Sequence, residues 1–213
     1  LNNFLKSRLE ASSEAIDKVT KKIISEVRLR GDDALVKFTN KYDNNSINKS
    51  QILISDHVRD HYKLQIDPNI VKSFKIAINN IKAFHKKQLP QNYEINKNDL
   101  ITGHLWKPID AVGLYVPGGK ASYPSSLLMS VIPALVAGVR RIVVSTPSKN
   151  GNFNPYLIAL LDILGIKEVY QLGGAQAIAA LSYGTKTIKP VNKIFGPGNA
   201  YVASAKKQVS GKV

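Results

Sequence analysis

The stretch Ala111-Val112-Gly113-Leu114-Tyr115-Val116-Pro117-Gly118-Gly119 decides the fold. Its first six residues form a strand-sized apolar run, and a Pro-Gly-Gly turn ends it. A helix-length segment, Ser125 to Ala137, comes next and leads to a second apolar run, Arg141 to Ser145. Asn154 to Leu164 then reads as a helix, Glu168 to Leu172 as a strand and Ala175 to Ser182 as a helix. Asn192 to Phe195 and Gly198 to Lys207 repeat the order once more. Strands that alternate with helices every 25 to 30 residues or so predict a parallel sheet flanked by helices, the grammar of an α/β domain and not of a solenoid.

The chain before this stretch reads differently. Ser12 and Ser13 can cap a helix whose apolar positions Ile16, Val19, Ile23, Ile24 and Val27 recur at three- and four-residue spacing and end near Gly31. A short helix is predicted from Asp32 to Tyr42, a loop over Asn44 to Lys49, and a longer helix from Pro68 to Lys87 with Ile70, Phe74, Ala77, Ile81 and Phe84 on one face. A strand pair fits Tyr93 to Trp106. The grammar changes near residue 110.

Three of the four strands run directly into glycine turns: Val116-Pro117-Gly118-Gly119, Leu172-Gly173-Gly174-Ala175-Gln176 and Phe195-Gly196-Pro197-Gly198-Asn199. In a parallel sheet these turns gather at the carboxyl edge, where open α/β folds bind ligands. Glycine lets backbone approach a ligand closely, and the helix starting after each turn offers unpaired N–H groups suited to phosphate. Gln176 and Asn199 supply amide groups there, and Tyr115 supplies a ring with a phenolic hydroxyl. Each turn alone also reads as a plain tight connection, and it is the three in register that point to a site. The Gly-x-Gly-x-x-Gly fingerprint is absent, and so is the acidic residue that follows it at the end of the next strand, where Ser145-Thr146-Pro147 stand instead. The residues therefore describe a nucleotide-type site without naming the nucleotide.

No catalytic engine accompanies it. His57 and His61 are four apart, but His-Val-Arg-Asp-His lacks the Glu of a metalloprotease helix, so these read as surface histidines, as do His85 and His104. No Gly-x-Ser-x-Gly elbow occurs. The absence of cysteine excludes disulfides, thiolate catalysis and Cys-based zinc sites within these 213 residues.

Composition bounds the partners. With 44% hydrophobic residues the chain can bury a real core, and its apolar stretches around Leu127 to Val139 and Leu157 to Ile166 are too short to span a bilayer. The net charge of +15 is unevenly spread: residues 1–100 hold 18 basic and 12 acidic residues, residues 101–213 hold 12 basic and only Asp110, Asp162 and Glu168. The second part is where an anion would be welcome. Lys18 to Lys22 and Lys86-Lys87 raise a nucleic-acid reading, but aromatics are not interleaved with them as stacking platforms require. The expectation is no nucleic acid and no membrane. Leu1 in place of Met, with no signal-like segment in Leu1 to Glu10, reads as a truncated or processed start.

Together the glycine turns and their neighbours are specific. Val112 through Gly119, Tyr123-Pro124-Ser125-Ser126, Leu128-Met129, Gly173 through Leu181, Tyr183-Gly184-Thr185 and Lys193 through Asn199 resemble the histidinol dehydrogenase family in order and spacing. A weaker likeness runs through Val27-Arg28-Leu29-Arg30-Gly31-Asp32-Asp33-Ala34-Leu35. The resemblance implies an NAD- and zinc-dependent oxidoreductase of histidine biosynthesis that takes L-histidinol to L-histidine through L-histidinal, as a cytoplasmic homodimer. It assigns Tyr115, Gln176 and Asn199 to NAD contact. It places the zinc ligands and the Glu-His acid/base pair beyond Val213, so no catalytic or metal residue is expected here and the fragment alone is expected to be inactive. It also implies an incomplete, helix-rich, Rossmann-like first domain over residues 1–110, with an exposed core face, followed by a Rossmann-like nucleotide-binding domain over 111–213. The alternatives are a paralogue that oxidises another amino alcohol and a non-catalytic nucleotide- or nucleic-acid-binding domain.

Overall fold

The structure, a computed structural model, describes residues 13–43, 45–118, 124–148 and 150–213. Leu1 to Glu10, Ser12, Asn44, Gly119 and Tyr123, used above, lie outside the described residues.

The first part supplies helices α1 (Ser13–Arg30), α2 (Asp32–Tyr42), α3 (Asp56–Lys63) and α4 (Pro68–Lys86), then an antiparallel hairpin of β1 (Tyr93–Lys97) and β2 (Leu100–His104). Of these, α3 is the element that the sequence analysis does not predict. Ser55 caps it by accepting from the Val58 N–H, and Arg59 on its inner face reaches Asp162 and the Lys167 carbonyl. At the start of α4, Asp67 caps and Pro68 occupies the first turn, where a missing N–H costs nothing.

The second part alternates strictly: β3 (Ala111–Tyr115), α5 (Pro124–Val136), β4 (Arg141–Ser145), α6 (Pro155–Ile163), β5 (Glu168–Tyr170), α7 (Gly174–Tyr183), β6 (Lys193–Phe195) and α8 (Ala200–Val209). All four strands pair in parallel, in the order β5-β4-β3-β6. Successive strands first step to one side of β3 and then, with β6, to the other. The order reverses between β3 and β6, which makes that crevice the switch point where α/β folds place ligands.

Two-residue periodicity divides the sheet between two cores. Ala111, Tyr115 and Val143 face one cluster with Ile178, Leu181 and Val202 of α7 and α8. Val112, Leu114, Ile142 and Val144 face another with Leu127, Val131, Leu157 and Leu161 of α5 and α6. Helices cover both faces of β3 and β4, which is why these read as apolar runs, whereas β6 leaves Lys193 and Phe195 exposed at the open edge. Each fully buried Leu or Ile contributes on the order of 2 kcal/mol from removal of apolar area alone.

The first part wraps this sandwich on both sides. Helix α1 packs on α7 and α8, placing Ile23, Ile24 and Val27 in the first core, while α3 lies on α6 and α4 on α5. The predicted one-sided stripe of α4 is only half buried: Phe74, Ala77 and Ile81 rest against the second core, and Phe84 is 62% exposed. Residues 52–54 also cap the outer edge of β5, through Ile54 N–H to Val169 O and Gln171 N–H to Ile52 O. That edge is thereby closed to stray pairing. The amino edge is tied by a forked pair in which both Arg141 nitrogens lie 2.8 Å from the two Glu168 oxygens, while Arg141 also donates to the Lys189 and Pro190 carbonyls. No described helix is long and apolar enough to cross a membrane.

Candidate functional site

The three glycine turns leave the carboxyl ends of β3, β5 and β6, so the parallel topology puts them along one edge. Their contact is close. Gly196, with φ of 115°, runs so near the end of β3 that a Cβ there would land on the Tyr115 carbonyl oxygen. Only glycine permits that path. At Gly173 a Cβ would sit 2.8 Å from Pro147 Cβ and 3.1 Å from each Asp43 carboxylate oxygen. The turn after β5 is therefore pressed between the end of β4 and the end of α2.

Tyr115, Gln176 and Asn199 occupy different environments along this edge. Tyr115 is buried on the α7 side of the sheet, and its hydroxyl accepts the Gly174 N–H at 3.2 Å. Burial holds its pKa above the ordinary phenol value, and the neighbouring Asp43 charge adds to the rise. Gln176 is 1% exposed, and its Nε2 has no hydrogen-bond partner. An amide N–H₂ buried without an acceptor costs about 1–3 kcal/mol and is rare in a relaxed interior. Asn199 is exposed and already employed, since its Oδ1 accepts the Val202 N–H at 3.1 Å and caps α8. The structure thus brings Tyr115 and Gln176 together through the Gly173-Gly174 turn, and stations Asn199 at the mouth of the switch-point crevice.

Two residues that the sequence analysis does not single out belong to this edge. Asp43, at the C-terminal end of α2, leaves its Oδ2 buried without a partner. Burial raises its pKa to about 6, and a hydrogen bond from the Gly173 N–H offsets part of the rise. Lys206, one helical face along α8, donates to the Gly196 carbonyl at 2.5 Å, and burial lowers its pKa. It stands as a cation against the third turn. No local pattern announces either residue: an Asp closing a helix and a Lys in a basic helix are ordinary, and only the tertiary fold carries them to the edge.

The first turn of α7 carries no cap from its own N-cap residue, Gly173; the Gly174 N–H is taken by the Tyr115 hydroxyl, which leaves those of Ala175 and Gln176 for an acceptor. Chemically the edge offers donors, a half-buried carboxylate, a phenol and a lysine cation, which suits a polar, hydroxyl-rich, anionic ligand. Among the described residues it holds no nucleophile paired with a base. His57, His61 and His104 are exposed, and among the described residues no group of three or more His, Cys, Asp or Glu is placed to hold a metal ion.

A cavity of about 480 Å³ lies beside this edge, lined by Asn45, Gln51, Ile54, Phe153 and Gln171 among others. Its polar groups are mutually satisfied: Asn45 holds Ser148 and the Gly151 N–H, and Gln171 holds the Ser148 hydroxyl. It contains none of Tyr115, Gln176 and Asn199, and the satisfied lining marks it as a brace for the loop after β4.

Comparison with known proteins agrees with this architecture. The family model described as histidinol dehydrogenase matches residues 6–213. A histidinol dehydrogenase of Rhizobium meliloti is 46% identical over 212 residues, covering 99% of this chain and 48% of its own length. That of Rhodospirillum rubrum is 44% identical over 203 residues, covering 95% and 47%. The crystal structure of histidinol dehydrogenase from Elizabethkingia anophelis superimposes with a TM-score of 0.89 at 32% identity, covering 94% of this chain and 46% of that one. The chain spans about half the length of the relatives it matches.

Proposed function

The chain belongs to the histidinol dehydrogenase family, a family of oxidoreductases, and on that premise we propose that it forms the NAD-binding part of an enzyme oxidising L-histidinol to L-histidine through L-histidinal. The observation that carries the cofactor reading is the unpartnered Gln176 amide, buried beside the Tyr115 hydroxyl at the carboxyl edge of a parallel sheet. NAD supplies the hydride acceptor when bound. In this reading Gln176 Nε2 donates to the cofactor and recovers the cost of its burial. Tyr115 positions the Gly173-Gly174 turn, the uncapped start of α7 and the Lys206 cation favour the diphosphate, and Asn199 closes the crevice from the β6 side. These residues bind and orient, and none of them moves the substrate proton.

Zinc is the family's second requirement in this reading, and the described residues offer no donor set that fits it. The zinc ligands and the acid/base pair are assigned to the part of the family's length that these residues do not span. The proposal extends to a cytoplasmic homodimer as the working form, and to an absence of turnover by the 213 residues alone.

The test is NADH formation by the full-length protein with L-histidinol, with and without a chelator. Activity lost on chelation and restored by zinc is the expected result. NAD binding without histidinol oxidation would sink the substrate assignment and favour a paralogue acting on another amino alcohol.

A further inference from the structure

The dinucleotide folds that place an acidic residue at the end of the second strand use it to accept a ribose hydroxyl. Here the corresponding strand, β4, ends in Ser145-Thr146-Pro147 and has no acid to offer. A carboxylate nevertheless stands at that place. Asp43 arrives from the end of α2, and the Gly173 Cα that separates it from Pro147 is close enough that one added Cβ would touch both. Both of its oxygens lie against Gly173, and its charge is felt at the Tyr115 hydroxyl. Oδ2 is buried without a hydrogen-bond partner, as is Gln176 Nε2 on the same turn. One orphan acceptor and one orphan donor beside a single glycine turn match a ligand that presents both kinds of group, as a ribose does with its hydroxyls.

We propose that Asp43 accepts a hydrogen bond from the adenosine ribose 2′-hydroxyl of the dinucleotide and thereby excludes a 2′-phosphorylated one. This rests on the reading of the edge as the NAD site and deepens it, by naming the residue that selects between NAD and NADP. The physics is asymmetric. A carboxylate gains a charge-assisted bond from a hydroxyl, while a phosphate in the same position brings like charge into a partly buried pocket with no added cation among the described residues. The acid that is missing from β4 in sequence is thus supplied in space by the first part of the chain, whose α2 packs between α1 and α7.

Calorimetric titration of the full-length protein with NAD, NADP and 2′-deoxy-NAD, at a pH well above 6 where the carboxylate is ionised, tests this. In the unsubstituted protein NAD binds at least tenfold more tightly than either analogue. Asp43→Asn and Asp43→Ser weaken NAD by roughly ten- to a hundredfold, narrow the gap to NADP by at least tenfold, and abolish the penalty for 2′-deoxy-NAD. A merely structural role for Asp43 would shift all three ligands together and leave their ratios alone. If both Asp43 variants keep the original ratios while Gln176→Ala weakens NAD and NADP alike, the site stands and this proposal falls. If the unsubstituted protein binds neither dinucleotide, the NAD reading falls and takes the proposal with it.

Discussion

Strands β3 and β1 are the same length and sit in opposite worlds. Every residue of β3 from Ala111 to Tyr115 is buried, and every residue of β1 and of its partner β2 is exposed. β3 is the centre of gravity of the sheet, paired on both sides and covered on both faces, and its end carries the Tyr115 hydroxyl into the candidate site. Among the described residues the hairpin pairs only with itself, with Tyr93, Ile95, Leu100 and Ile101 each more than half exposed. A local pattern can say that a segment is extended, because pleating and β-branching act within the strand. It cannot say what will cover it, because that is decided by chain far away in sequence.

The largest effect that sharpens this contrast lies in β3. Leu114 is 1% exposed and faces α5 and α6, so Leu114→Ala opens a cavity that its neighbours fill only in part. The expected loss is about 3 kcal/mol, read as a lowered denaturant midpoint at unchanged slope. A loss below about 1 kcal/mol would mean that the sheet centre is loosely packed, and the division into two dense cores would fail. This is also the part of the fold that is most legible in sequence. The four parallel strands and their helices fall within a few residues of where apolar periodicity and glycine turns place them: burial on both faces makes apolar runs of β3 and β4, while the exposed β6 is marked by the glycine turn that follows it. Helix α3 escapes that logic. Only Arg59 among its residues is buried, and Val58 and Tyr62, the two apolar side chains it lays on the second core, are too few to read as a stripe. The apolar stripe of α4 misleads in the opposite sense, since Phe84 continues the pattern past the end of the surface that receives it.

The candidate site divides in the same way, and a smaller effect probes it. Gln176 and Tyr115 are legible because each sits beside a glycine turn, whereas Asp43 is not, because its place beside Gly173 exists only after α2 has docked on α7. The Asp43 carboxyl moves from an ordinary 3.8 to about 6 on folding, chiefly through burial. Between those values the folded chain holds a proton that the unfolded chain has released, so stability falls as pH rises through this window and stays lower above it. Asp43→Asn removes the penalty. At about pH 8 the unliganded variant gains on the order of 1 kcal/mol, discounted for the carboxyl's partial exposure, and the gain vanishes near pH 4. Denaturant midpoints of both proteins at the two pH values measure it. A variant less stable at the higher pH would show that the carboxylate is anchored by a favourable charge, and its orphan oxygen would lose its meaning. A gain in stability together with a loss of NAD selectivity is what a binding carboxylate held at the expense of the fold produces.

The smallest expected effect belongs to the hairpin. Ile95 is 55% exposed and pairs across to Thr102 with no helix above it, so its side chain loses little water contact on folding. In the 213-residue chain Ile95→Ala should change stability by no more than about 0.5 kcal/mol, the range of an exposed position, even though it removes more carbon than many core substitutions. A two-stranded hairpin with both faces wet is marginal by itself, and its backbone pairing must be the main thing that the chain retains there. The same substitution then becomes an instrument for the full-length protein. A loss of about 2 kcal/mol there, against a near-zero loss here, would locate a covering surface over the hairpin, because only burial turns the deleted carbons of the isoleucine side chain into a cost of that size. Equal small losses in both would mean that Tyr93 to His104 stays exposed in the longer protein, and that its apolar side chains are read by something other than the fold.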